Sequence, residues 1–395
     1  MEYILEHIRK IENTTNIKEL KRKLRRKKDM NSTEASLQIA QLFYDLLKDQ
    51  TIKNKYKNNP SALVLLVTKL GKTFSDIDPV QFCIGNTIKK ILHIIREEIR
   101  EKQKDKNNKI NEQQESINNT INQENKKLLD IKNLDFTNEV KKEEDTINSS
   151  GQLYEIKNNA NTNDELDMDI ILENIDTLIA EMHSISETIT EKKEIKDLIA
   201  DNDIILTTNY SEQIVKILSE NQKTKKFKVF VCESAPKIRE KSMSEELKKL
   251  KLDVTIIEND DIYSVMKKYT KVKVFLGAKA ILVNGGSIAY GGAYNICLIA
   301  SMFSNPVIIA GGATKLTPMY SFKHEFYNEY LSPDLIFGKN MNYNGDISNI
   351  QFNTPSLDYI PPNLISMFAS DIGILNPKFL YKNFNEMYDL EDYEI

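Results

Sequence analysis

Apolar residues recur at steps of three and four through the first hundred positions. In "CIGNTIKKILHIIREEIREKQ", Ile84, Ile88, Ile91, Leu92, Ile95 and Ile99 form one stripe opposed by Lys, Arg and Glu. That spacing predicts an amphipathic helix laid on a core. Thr33 to Leu47 carries the same pattern. From about Gln103 to Glu165 the chain turns to Lys, Asn, Glu and Gln with few aromatic or branched residues. Too little apolar area is available there to offset the entropy of ordering, and the reading is a disordered insertion. Helical spacing returns with Met168, Ile171, Leu172, Ile175, Leu178, Ile179, Met182, Ile185 and Ile189. One long helix is expected, ending near Asp201-Asn202-Asp203.

Beyond Asn202 the period changes. The short apolar runs "DIILTT", "FKVFVCES", "DVTIIE", "VKVFLGAKAILV" and "PVIIAG" alternate with amphipathic ones, and "LISMFAS" with "NPKFLYKNF" adds a last strand and helix. Continuous Val/Ile runs between helices are what a parallel sheet covered on both faces requires. The fold class expected is α/β: an all-helical N-terminal domain and a Rossmann-like, doubly wound parallel sheet. The boundaries read as 1–102 helical, 103–165 insertion, 166–200 a helix completing or linking the helical domain, and 201–395 the sheet domain. In such sheets ligands collect beyond the carboxyl ends of the strands. Those ends hold Thr207, Thr208, Asn209, Glu233, Ser234, Asn284 and Gly285.

Composition narrows the possibilities. With 40% hydrophobic and 28% charged residues in 395, the chain has ample length for a core. A formal net charge of −4 argues against a general nucleic-acid binder. No apolar run reaches the roughly 20 residues that cross a bilayer, and the start "MEYILEHIRKIE" does not read as a signal peptide. Cys83, Cys232 and Cys297 form no CxxC pair, which fits a reducing, cytoplasmic compartment. Four scattered histidines give no metal-binding spacing, and no cofactor is expected.

Three motifs invite chemistry. "LGKT" at Leu70–Thr73 lacks the glycine a phosphate loop needs five positions earlier, where Leu66 stands, and it follows a helix-like run. The basic cluster "KELKRKLRRKKD", Lys18 to Asp29, has Leu20 and Leu24 on one face and reads as a solvated helix surface. "NGGSIAYGG" is the serious candidate. It does not match GxGxxG, yet Gly285 and Gly286 permit close backbone approach, with a helix behind them to present N–H groups to an anion. A plain tight turn is the other reading.

Taken together, "DNDIILTTNYS", "FKVFVCESAP", "LGAKAILVNGG" and "NPVIIAGGATKLTPMY" resemble the regulatory subunits of eukaryotic translation initiation factor 2B, with the nearest likeness to beta chains. "LDYIPPNLISMFASDIGILNPKFLYK" and "IGNTIKKILHIIREE" extend the likeness, which covers most of 60–100 and 168–395. The resemblance implies a helical domain followed by a Rossmann-like one. It also implies kinship with isomerases of methylthioribose 1-phosphate or ribose 1,5-bisphosphate. Those enzymes place a Cys in a His-Cys-Asn-Ala-like stretch and an Asp in a Gly-Ala-Asp-Arg-like stretch. Here "TTNY" puts Thr208, and "GAKA" puts Lys279, at those positions. A hydroxyl without a base does not replace a thiolate, and a lysine reverses the charge of a carboxylate, so the acid–base pair of an aldose–ketose shift is missing.

What the resemblance implies is a non-catalytic subunit of the guanine nucleotide exchange factor for initiation factor 2. Expected partners are alpha, delta, gamma and epsilon subunits and initiation factor 2 itself, including its phosphorylated alpha subunit. The alternatives kept open are a sugar-phosphate isomerase and a small-ligand sensor, the latter using Thr207, Asn209, Glu233, Asn284, Gly285, Gly286 and Lys315 as a pocket. Interface candidates near the sheet's carboxyl edge are Met319, Tyr320, Phe322, Phe326, Tyr327, Ile360 and Phe368. Lys89, Lys90 and Arg96 on the helical domain are candidates for a phosphorylated partner, against the plainer reading of a solvated face.

Overall fold

A computed structural model describes residues 11, 14–26, 31–132, 166–232, 242–320, 328–332 and 353–393. The helical part begins with α1 (Thr15–Arg26), α2 (Ser32–Lys48), α3 (Gln50–Tyr56) and α4 (Pro60–Ser75). Then come α5 (Phe82–Lys132), α6 (Met168–Glu191) and the single turn α7 (Lys193–Lys196). Their starts follow capping chemistry. Asn31 accepts from the Glu34 N–H, Asn59 from Ala62, and Asp167 from Asp169 and Ile170, satisfying donors that a helix leaves orphaned.

The apolar stripes read from spacing are the buried faces. Ile39, Phe43 and Leu47 of α2 meet Leu63, Leu66 and Leu70 of α4 and Ile84, Ile88 and Ile91 of α5 in one cluster. In α1, Ile17, Leu20 and Leu24 turn inward while Lys18, Arg22, Lys23 and Arg25 face solvent, as the basic cluster suggested. "LGKT" lies inside α4, where Leu70 and Gly71 are buried and Thr73 Oγ1 donates 3.0 Å to the Lys69 carbonyl. No loop exists there to cradle a phosphate.

The insertion reading needs correction at its start. Instead of losing structure at Gln103, α5 continues to Lys132. Extending a helix already nucleated on a core costs far less than starting one, and Lys, Glu and Gln are good helix formers. Residues 133–165 lie outside the described residues. The helix expected from Met168 stops at Glu191, with Lys192 in an extended conformation before α7.

The second part winds β1 (Ile204–Thr208), α8 (Glu212–Gln222), β2 (Lys228–Cys232), α9 (Met243–Lys249), β3 (Asp253–Ile257), α10 (Ile262–Lys268) and β4 (Val272–Gly277). It continues through β5 (Ala280–Leu282), β6 (Ser287–Tyr290), α11 (Ala293–Met302), β7 (Val307–Ala310) and β8 (Leu316–Thr317). β9 (Leu357–Ile360), β10 (Met367–Ser370), β11 (Gly373–Leu375) and α12 (Leu380–Met387) complete it. Seven strands form the main sheet in the order β11-β10-β7-β4-β1-β2-β3, parallel except for the β10–β11 hairpin. A doubly wound sheet behind helices is therefore the observed class. Along each central strand, successive residues enter opposite clusters: Ile205, Val229, Phe275 and Ile308 face the helical part, while Leu206, Phe230, Val274 and Ile309 face the other layer. Burial on both faces explains why these strands read as unbroken apolar runs.

Two features differ from the sequence reading. "VKVFLGAKAILV" is two strands, because the chain leaves the main sheet after Gly277 and re-enters a second, four-stranded sheet ordered β8-β5-β6-β9. The glycine pair Gly285–Gly286 belongs to the tight turn between β5 and β6, so the helix behind it starts only after Gly291–Gly292.

Candidate functional site

The winding reverses between β1 and β4, and a cavity of ≈ 280 Å³ opens beside their carboxyl ends. This is the place where open α/β sheets hold ligands. One wall is Thr208, Asn209, Gly277, Lys279, Tyr290 and Lys315 from the sheet part. The opposite wall comes from the helical part: the α2 start at Asn31–Glu34, with His183 and Ser186 of α6. The start of α8 adds Ser211, Gln213 and Lys216. Asn31 Nδ2 donates 3.2 Å to Glu212 Oε2 and ties the two walls together. At Gly277 any Cβ would collide with the Ser211 hydroxyl, so only glycine lets β4 approach the α8 start.

Thr208 and Lys279, which the resemblance aligned with isomerase residues, both line this cavity, and each makes a structural bond. Thr208 is buried, and its Oγ1 donates 2.8 Å to the Cys232 carbonyl, across the β1–β2 pair. Lys279 donates 2.7 Å to Gln81 Oε1 and sets its ammonium 5.4 Å from the Tyr290 ring centroid. Burial pushes the Cys83 thiol up, with Lys279 and Lys315 only partly offsetting it. Burial also pushes the Cys297 thiol up to about 12, with Asp358 adding to the effect.

Of the remaining pocket candidates, Asn209 and Lys315 line the cavity. Asn209 takes a left-handed φ of 42° and donates 3.1 Å to the Gly291 carbonyl, joining β1 to the turn before α11. Thr207 points away and is fully buried. Asn284, Gly285 and Gly286 are not in the cavity. Asn284 donates to the Tyr359 hydroxyl at 2.9 Å and accepts from the Gly286 N–H at 3.0 Å, holding the β5–β6 turn. Gly285 has φ 81° and abuts the Pro377 carbonyl, so the glycines serve a hairpin rather than an anion. Glu233 and Ser234 fall outside the described residues. Sequence reasoning missed Asn31, Ser186, Gln213 and Lys216, since only the tertiary fold brings them to the crevice. The cap at Asn31–Glu34 was the one local signal. Gln213 Oε1 and Ser186 Oγ are buried without a hydrogen-bond partner among the described residues.

The interface candidates divide. Ile360 and Phe368 are wholly buried in the second core cluster, where β9 and β10 place them on inward faces, so neither is available to a partner. Met319 packs partly against the smaller sheet, and Tyr320 is 47% exposed. Phe322, Phe326 and Tyr327 lie outside the described residues. Lys89, Lys90 and Arg96 are not on a solvated face either. Lys89 is 2% exposed and donates 3.2 Å to the Tyr393 carbonyl. Arg96 grips Asp392 through two bonds of 3.0 and 2.8 Å. Burial pushes the Lys90 ammonium down, with Asp371 and Glu181 pulling it back.

Residues 31–377 match the Initiation factor 2 subunit family. The chain belongs to that family. It is 30% identical over 378 residues to the eIF2B subunit beta of Dictyostelium discoideum, covering 90% of this chain and 92% of the relative. Among solved structures, the family fold is shared with eIF2B beta of Chaetomium thermophilum at a TM-score of 0.63, with 18% identity and 99% and 97% coverage. A chain of the tetrameric eIF2B-beta2-delta2 complex from C. thermophilum aligns at a TM-score of 0.62, with 17% identity and 96% and 98% coverage. No described helix is long and apolar enough to cross a membrane.

Proposed function

We propose that this family member is a non-catalytic, regulatory subunit of the exchange-factor complex for initiation factor 2, acting through assembly rather than turnover. The observation that carries the reading is the outward face of α11. No Asp, Glu, Lys or Arg stands between Lys279 and Lys315, in a chain where 28% of residues are charged. Ile296, Cys297 and Ala300 bury one side of α11, while Tyr294, Leu298 and Met302, at 42%, 43% and 67% exposure, line the other. Tyr263 of α10 extends the stripe by meeting Phe303 at 5.2 Å between ring centroids. A helix apolar on both sides is one covered on both sides. Large apolar side chains exposed side by side mark an interaction site, and Tyr and Met without charge is interface composition. The beta chain of the C. thermophilum tetramer assembles with delta chains. By that likeness the occupant here is a delta-type sister subunit. Alpha-type, gamma and epsilon subunits complete the complex, initiation factor 2 is its client, and its compartment is the cytoplasm.

The bonds that occupy Thr208 and Lys279 support the non-enzymatic half of the reading. Native mass spectrometry of the assembly recovered through this chain tests the rest. Delta- and alpha-type chains in fixed stoichiometry are expected; the isolated polypeptide alone would overturn it. A second reading, ligand sensing without chemistry, has one observation in its favour: Gln213 Oε1, buried and without a partner among the described residues, in a cavity flanked by three lysines. Thermal shift against sugar phosphates and nucleotides checks it, since a ligand at 100 times its Kd adds about 2.7 kcal/mol.

A further inference from the structure

On α5, Lys89, His93, Arg96 and Arg100 stand four, three and four residues apart, and so share one face of the helix. Residues 389–393 lie across that face. His93 Nδ1 and Asp389 Oδ2 are 3.1 Å apart, and Arg100 donates to the other oxygen of the same carboxylate. Arg96 takes Asp392 with its Nε and Nη2 and also reaches Glu391. Lys89 closes the row on the Tyr393 carbonyl. Glu97 sits beside His93 at 3.4 Å and Glu98 near Lys102 at 3.6 Å, so the stripe's basic charge is only partly balanced within the helix.

What holds this segment differs from what holds the chain just before it. Phe384 and Tyr388 are in the apolar core, and the Tyr388 hydroxyl donates 2.7 Å to the Leu316 carbonyl. One residue later the core contact ends. Leu390, the only apolar side chain in 389–392, is 76% exposed, while Asp389 and Asp392 are buried against the basic row. Tyr393 alone adds a partial apolar contact. The strap is therefore gripped by charge and hydrogen bonds, as a bound acidic peptide is. Paired Arg–carboxylate contacts of this kind carry both strength and geometric selectivity.

We propose that the basic face of α5 is a groove for an acidic peptide, and that residues 389–393 of the chain itself occupy it as a releasable strap. An acidic segment of another protein competes for the groove by displacing the strap. The unit that then presents the groove is the chain with its own acidic residues swung away, its fold retained up to Tyr388.

A labelled peptide carrying residues 386–395 is the probe, read by fluorescence anisotropy. A chain shortened to end at Tyr388 is expected to bind it, and the full chain at least tenfold more weakly, since its groove is filled. Arg96→Gln in the shortened chain is expected to weaken binding about tenfold, the size of a lost charge-assisted pair. Exchanging Asp389 and Asp392 of the peptide for Asn should abolish it. A shortened chain that melts at the normal temperature and ignores the peptide overturns the proposal, as does equal binding by the full chain. Should the shortened chain fail to fold, the full-length double variant Asp389→Asn/Asp392→Asn replaces it. Faster amide exchange across 389–393 together with gained peptide binding supports the strap; a segment that stays protected while no peptide binds rules it out.

Discussion

Lys89 takes an ammonium into the seam between α5 and the strap with one carbonyl for a partner. Burial lowers it to about 8 from an ordinary 10.5, and Asp392 offsets part of that. A base whose value falls on folding destabilises the folded state at every pH below the lowered value. The penalty fades as pH rises from 8 towards 10.5, where the unfolded chain also loses its proton. Lys89→Met is therefore expected to stabilise the protein by about 1–3 kcal/mol at pH 7, with the gap closing by pH 10. Denaturant melts of both proteins across that range measure it; a gap that stays constant with pH would assign the effect to packing alone. At the same scale, the positions of Thr208 and Lys279 were legible from the strings around them, and the structure does bring them to one cavity. The bonds that occupy them were not legible, because Gln81 and the Cys232 carbonyl arrive from distant parts of the chain. Lys89 and Arg96 read as polar-face residues for the same reason. Helical spacing says which side of a helix is apolar, and nothing about which other segment covers the polar side.

Elements followed their periodicity where one physical term dominated. The stripes of α2, α5 and α6 were readable because a helix that buries one face must repeat at 3.6. The central strands were readable because burial on both faces leaves few polar positions, Thr207, Thr208 and Lys273 among them. The second sheet escaped notice: β5 and β6 have three and four residues, and a run joined to β4 looks like one strand when both are apolar. The β5–β6 turn follows a different constraint. Gly285 sits at φ 81° against a carbonyl, a combination that an L side chain meets with both strain and collision. Gly285→Ala is expected to cost about 1–3 kcal/mol, read as a lowered melting temperature, with the cavity's lysines undisturbed. An unchanged melting temperature would show that the turn relaxes freely. Helix α2 offers a milder case: Asn31→Ala removes both an N-cap and the link to Glu212, and about 1 kcal/mol is expected to go with them.

At the scale of the whole molecule, one apolar cluster runs from the helices into the near face of the sheet, and the strap adds an ionic seam where α5 meets the chain's last described residues. That seam has a predictable response to acid. Burial alone would raise the Asp389 carboxyl, but hydrogen bonds from Arg100 and His93 outweigh it and hold the group below its ordinary 3.8. An acid whose value falls on folding stabilises at neutral pH and loses that contribution as pH drops through the lowered value. Amide exchange over 389–393 is thus expected to stay slow from pH 7 to 5 and to quicken only in stronger acid, after correction for intrinsic rates. Quickening already at pH 6 would contradict a seam held by the Asp389 carboxylate. Among the described residues, α11 presents an exposed apolar stripe, and the assembly reading stands on it. Leu298→Asp puts a charge on that exposed stripe, where a substitution costs the monomer little. Native mass spectrometry of material recovered through the Leu298→Asp chain, beside the unaltered one, is the most direct measurement. The account predicts that the unaltered chain brings a delta-type subunit and the variant comes alone with its melting temperature preserved; a variant that retains the full complement of subunits would contradict it.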